Sequence, residues 1–126
     1  MKLNPDCIRD ILITIENYPV PMDLIPQEFY KLLPQYSSTE INYCSKRLYE
    51  AGYINLVFIS VPSTFIKSSN KEIQYFGDLT YLGHEFLEYV KTDTIWRKIK
   101  SKASSLGCFA LPILQQIASQ IIVNKL

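Results

Sequence analysis

Residues 36–54, YSSTEINYCSKRLYEAGYI, constrain the fold more than any other stretch of the chain. Ser37 followed three residues later by Glu40 is the signature of a capped helix start. Ile41, Cys44 and Leu48 then recur at helical spacing, with Ala51 extending the stripe, and Gly52 stands where a left-handed terminator belongs. The chain passes at once into YINLVFISV, residues 53–61, whose β-branched and aromatic composition predicts a strand. The polar, turn-rich PSTFIKSSNKE, residues 62–72, precedes a second β-prone run, IQYFGDL, residues 73–79. Thr80 then caps a helix over residues 81–90, with Leu82, Phe86, Leu87 and Val90 inward. Gly83 in its first turn costs about 1 kcal/mol relative to alanine. That cost points to close approach by the hairpin backbone.

Upstream, Asn4-Pro5-Asp6 is a helix start, and Ile8, Ile11, Leu12 and Ile15 give it one apolar stripe. YPVPMDLIP carries three prolines and reads as an extended connector, and QEFYKLL as a short helix stopped by Pro34. Downstream, TDTIWRKIKSKASSL places Ile95, Trp96, Ile99, Ala103 and Leu106 on one side of a helix. After Gly107, a last helix from Pro112 has two apolar columns, Ile113, Ile117, Ile121 and Leu114, Ala118, Ile122. The order predicts an α+β, mainly α fold: a winged helix-turn-helix with a β-hairpin wing over residues 1–90, and two additional C-terminal helices over 91–126.

With 13 basic and 12 acidic side chains the formal charge is +1, which excludes a generally basic nucleic-acid protein. Cys7, Cys44 and Cys108 are odd in number and form no Cys-x-x-Cys, so reduced thiols are expected rather than disulfides or zinc. The opening residues do not read as a signal peptide, and Gln115, Gln116, Ser119 and Gln120 interrupt the most apolar region. A soluble, cytoplasmic protein without contact to membrane is expected.

MKLNPDCIRDILITIE, EINYCSKRLYEAGYI and DLTYLGHEFLEYVKTDTIWRKIK, with the amphipathic tail, resemble a family of small uncharacterised proteins from phages and prophages of Gram-positive bacteria. The Leu79–Leu87 run, LTYLGHEFL, with Trp96 beyond it, is the most specific element. The resemblance implies a winged-helix-like fold and a mobile-element origin. It brings no catalytic or binding residues, and residues 62–72 and GCFALPIL match least well.

No catalytic site is expected. His84 is the one histidine, and a lone histidine in a first helical turn is more often a packing or capping residue. Asp78 and Glu85 flank it in sequence as potential partners. Neither a metal centre nor a cofactor is expected, for want of clustered ligands or a glycine-rich phosphate loop. In a helix-turn-helix the second helix enters the major groove. The candidates for contact with double-stranded DNA are Ser38, Thr39, Asn42, Tyr43, Lys46 and Arg47, joined by Lys67 and Lys71 from the wing, with Ser37 and Ser38 beside phosphate. Residues 36–72 hold four basic and three acidic side chains, net +1, so attraction to phosphate is modest. A denser basic cluster, Lys91, Arg97, Lys98, Lys100 and Lys102 against Asp93, lies over residues 91–102. The last helix either packs on its own domain or pairs with a second copy, and for the pairing Ile113, Leu114, Ile117 and Ile121 are the candidates as a homodimer contact. The function expected is a phage-associated DNA-binding regulator. The alternative is a winged-helix module that binds and inhibits a host enzyme or defence complex.

Overall fold

Asn4 opens the chain's first helix: its Oδ1 accepts from the amides of Asp6 at 3.1 Å and Cys7 at 3.4 Å, and Pro5 follows at the first helical position. The structure, a computed structural model, describes residues 1–20, 24–61 and 70–124. Along that chain run α1 (Pro5–Asn17), α2 (Pro26–Leu32), α3 (Ser38–Glu50), β1 (Ile54–Val61), β2 (Asn70–Leu79), α4 (Tyr81–Val90), α5 (Asp93–Leu106) and α6 (Leu111–Asn124). This is an α+β, mainly helical fold with one antiparallel hairpin. Between α1 and α2, Leu24 joins the hairpin through an isolated antiparallel bridge, its carbonyl accepting from Phe76 N at 2.8 Å.

The stripes predicted from spacing build the core. Cys7, Ile8, Ile11 and Leu12 of α1 are fully buried and meet Ile41, Cys44 and Leu48 of α3 in one apolar cluster. Phe29 of α2 stacks on Phe76 of β2, ring centres 4.0 Å apart. The same cluster takes in Phe86, Leu87 and Val90 of α4, Trp96, Ile99 and Ala103 of α5, and Leu111, Leu114, Ile117 and Ala118 of α6. Residues on both sides of position 90 thus share one core. Arg9 of α1 spans it: Nε donates to the Val90 carbonyl and Nη2 to the Lys91 carbonyl, each at 2.7 Å, and Nη2 pairs with Asp93 at 2.7 Å. A guanidinium on the last carbonyls of α4 also suits the helix dipole.

Three features depart from the spacing rules. The second strand begins at Asn70, three residues before the β-prone run. Its register with β1 slips twice, between Ile54/Leu56 and between Val57/Phe58. Each slip adds one residue to β2, which is why its buried residues Ile73, Phe76 and Leu79 stand three apart instead of two. On α4, Leu82 is exposed and Gly83 takes the inward position. Leu106, at the last turn of α5, is also exposed, and on α3 the buried stripe is completed by Ser45, while Ala51 faces solvent.

Gly52 and Gly83 hold the hairpin to the helices. Gly52 adopts φ 84°, and its amide and that of Tyr53 bond to the Tyr49 and Leu48 carbonyls, closing α3. The Tyr53 carbonyl then accepts from Thr80 N at 3.0 Å. A Cβ on Gly83 would lie 2.0 Å from that carbonyl oxygen. The close approach inferred from the glycine is thus real, and it comes from the residue that leads into β1. Thr80 Oγ1 also bonds the Gly52 carbonyl and accepts from Gly83 N. Among the described residues no helix is long and apolar enough to cross a membrane.

Candidate functional site

The outer face of α3 and the adjoining hairpin bring together most of the residues expected to bind. Ser38 and Thr39 are exposed in the first turn of α3. Ser37 Oγ is engaged as the helix cap, accepting from Glu40 N at 3.1 Å, so its lone pairs serve the fold. Lys46 and Arg47 reach the same cleft as Lys71 of β2. Lys67 lies outside the described residues.

Two clefts flank Lys46. One, of about 390 Å³, is lined by Gln27 and Tyr30 of α2, Asn42 and Lys46 of α3, and Glu72 and Ile73 of β2, with Pro26 at its edge. The other, of about 280 Å³, lies between α3 and the hairpin and is lined by Lys46, Arg47, Tyr49, Glu50, Phe58 and Lys71. Lys46 is the one α3 residue common to both.

Several of the expected reading groups are held by the chain itself. Tyr30 OH donates to Asn42 Oδ1 at 2.8 Å, which fixes the Asn42 amide. Arg47 Nη2 pairs with Glu50 Oε2 at 2.8 Å, and its guanidinium lies 5.2 Å from the Tyr43 ring centre. Arg47 Nε is buried without a partner among the described residues. Tyr43 packs partly on the core. Lys46 and Lys71 make no ion pair among the described residues. Sequence spacing placed these cations on one surface; Gln27, Tyr30, Phe58 and Glu72 as cleft walls depend on how α2 and the hairpin fold back, which spacing does not carry.

The basic residues of α5 are elsewhere. Asp6 at the start of α1 accepts from Trp96 Nε1 at 2.8 Å and from Lys100 Nζ at 2.9 Å. Partial burial would raise the Asp6 pKa, but the bonds from Lys100 and Trp96 and the charges of Lys100 and Arg9 outweigh it and hold the carboxyl below its ordinary range. Lys91 pairs with Glu88 at 2.8 Å. Lys91 and Lys100 are thus partly neutralised, leaving Arg97, Lys98 and Lys102 exposed on α5.

His84 is exposed, with Nδ1 3.9 Å from Glu16 Oε2. Glu85, the next residue, points elsewhere because successive helical positions diverge by about 100°, and it accepts from Gln115 Nε2 at 3.4 Å. Cys7 and Cys44 are fully buried side by side; the hydrogen bond to Cys44 and burial push the Cys7 thiol up. Among the described residues no group of three His, Cys, Asp or Glu is placed to hold a metal.

The tail helix closes this chain's own core. Leu114 is fully buried and Ile117 nearly so, which leaves those two side chains no surface to offer a second copy. Ile113 and Ile121 are partly buried and lean on the same cluster.

Fold and site together define a small helical protein organised around a helix–hairpin–helix unit with a cationic cleft. The chain belongs to the family described as "Hypothetical protein (DUF2513)", whose model matches residues 2–109. The match ends before α6. An uncharacterised protein of Haemophilus influenzae (strain ATCC 51907 / DSM 11121 / KW20 / Rd) is 32% identical over 129 residues, covering 100% of this chain and 99% of the relative. A Haemophilus relative takes the similarity beyond the Gram-positive hosts that the resemblance implied. No solved structure matches significantly.

Proposed function

We propose that the chain is a winged-helix DNA-binding module, a small transcriptional regulator of mobile-element origin, that sets α3 in the major groove and the hairpin against the flanking backbone. The observation that carries this is the convergence of Lys46 and Arg47 from α3 with Lys71 from β2 on one cleft. The Leu24–Phe76 bridge supports it, since it ties the connector between the first two helices to the hairpin. Ser38 and Thr39 lead the helix into the groove, Asn42 and Arg47 are suited to adenine and guanine edges, and Lys46 and Lys71 to phosphate. Two phosphate contacts give a slope of log affinity against log salt of about −1.8, roughly a 12-fold loss between 50 and 200 mM. The test is fluorescence anisotropy on a pool of labelled duplexes. Lys46→Glu with Arg47→Glu abolishes binding while the circular dichroism stays unchanged; retained binding rejects this surface.

A second function, a protein-binding module that inhibits a host enzyme or defence complex, is favoured by one observation. Asn42 and Arg47 are already engaged by Tyr30 and Glu50, whereas Ile13, Thr14, Asn17, Tyr18, Pro19 and Leu32 line a more apolar cleft of about 390 Å³. Such a contact survives high salt, and Lys46→Glu leaves it intact. Pull-down from host lysate with and without nuclease separates the two.

A further inference from the structure

We propose that the cleft between α3 and the hairpin binds a single unpaired nucleotide, its phosphate held by Lys46, Lys71 and Arg47 and its base stacked at Tyr49 and Phe58. This rests on the nucleic-acid reading of the same face and gives it a more specific ligand.

The cleft combines the two chemistries a nucleotide requires. Among the described residues three cations line it against one carboxylate, and that carboxylate, Glu50, is engaged with Arg47 at 2.8 Å. The ammonium groups of Lys46 and Lys71 have no anionic partner among the described residues and approach from opposite walls, one from the helix and one from the strand. Beside them is an aromatic pair. Tyr49 and Phe58 meet edge-on, ring centres 5.3 Å apart at 69°, which fixes both rings. Tyr49 remains 42% exposed despite that contact, so aromatic surface is open to the cleft side of the helix. Stacking on such a surface is tolerant of base identity, and the adjacent cations supply the attraction to phosphate. A cleft of about 280 Å³ takes one nucleotide unit and cannot enclose a duplex. The cations are shared with the groove reading, but Tyr49 and Phe58 have no part in it, so the aromatic pair separates the two modes.

The same chemistry is offered by a free mononucleotide and by an unpaired base in a single strand. The test uses thymidine monophosphate, a labelled eight-residue oligothymidylate and a blunt duplex of equal length, titrated against the whole chain. Binding of the oligothymidylate supports the proposal; binding of the monophosphate as well makes the free nucleotide the ligand. Tyr49→Ala weakens the single strand about tenfold or more, the range found for loss of one stacked base, and Tyr49→Phe restores it. Tyr49 is exposed, so both variants keep the fold, which circular dichroism verifies. Lys71→Ala reduces the magnitude of the salt slope by roughly 0.7. Duplex binding that is lost in the Lys46→Glu, Arg47→Glu protein but accompanied by no single-strand binding overturns this proposal and leaves the regulator reading standing. Single-strand binding indifferent to Tyr49→Ala, or capture of a phosphotyrosyl peptide with no nucleotide bound, also overturns it. Failure of every nucleic acid to bind removes both.

Discussion

Gly83→Ala is the sharpest probe of the fold, because two effects of opposite sign meet there. By helix propensity alone, alanine gains about 1 kcal/mol over glycine in a helix. Sterically, the added Cβ falls 2.0 Å from the Tyr53 carbonyl oxygen and 3.0 Å from its carbon, both backbone atoms. Ordinary contact begins at 3.4 Å, so α4 and the foot of the hairpin must part by about 1.4 Å. The Tyr53 carbonyl is not free to move, since it accepts from Thr80 N at 3.0 Å. Overpacking of this severity costs about 3 kcal/mol, and loss of the Thr80 bond about 1 more. Propensity recovers about 1, and the net destabilisation is about 3 kcal/mol, roughly 10 °C in the unfolding midpoint for a chain of this size. Trp96, the one tryptophan and nearly buried, reports unfolding in urea. Ser101→Ala, on the exposed face of α5, serves as the control and changes stability by less than about 0.5 kcal/mol. An unchanged or raised midpoint for Gly83→Ala refutes the close approach.

Two further outcomes follow from named contacts. The Asp6 carboxyl is held below its ordinary range, so its stabilising effect is present above the unfolded-state value, about 3.9. That effect fades as pH falls through the folded-state value. Asp6→Asn should lower the urea midpoint at pH 7 and flatten the loss of stability between about pH 5 and pH 3, read by Trp96 emission; parallel acid curves for the two proteins disprove the assignment. Leu114→Ala removes a fully buried side chain and should cost about 3 kcal/mol. The loss should be the same in dilute and concentrated protein. A loss that appears only at high concentration would mean that Leu114 lies between two copies.

Much of this fold is legible because local signals agree with one another. Asn4, Ser37 and Thr80 each cap the helix that the sequence assigns them, and Gly52 supplies the left-handed residue after α3. What is not legible is what depends on long-range register. Leu82 carries an apolar side chain at an apparently inward position, yet Gly83 takes that place because the Tyr53 carbonyl needs the room. The bulges that space Ile73, Phe76 and Leu79 by three leave no mark in a strand pattern read at a period of two. Leu114 and Ile117 advertise an apolar face without saying which surface covers it; the covering comes from α4 and α5 of the same chain.

The face proposed to bind DNA shows the same division. Spacing puts Asn42, Tyr43, Lys46 and Arg47 toward the outer side of α3, where the structure also has them, but their availability is decided by partners that spacing does not reveal. Asn42 is fixed from α2 by Tyr30, and Arg47 from its own helix by Glu50. An exposed pair such as Arg47–Glu50 is worth at most about 1 kcal/mol. In the proposed complex a phosphate or guanine edge would therefore displace Glu50 at little cost. Lys46 and Lys71 need no such release. They stand on opposite walls of one cleft beside Tyr49 and Phe58, so the positive charge that is thin across residues 36–72 becomes dense where the helix meets the hairpin. Local density, rather than net charge, sets the field that an approaching phosphate meets within a Debye length of about 8 Å.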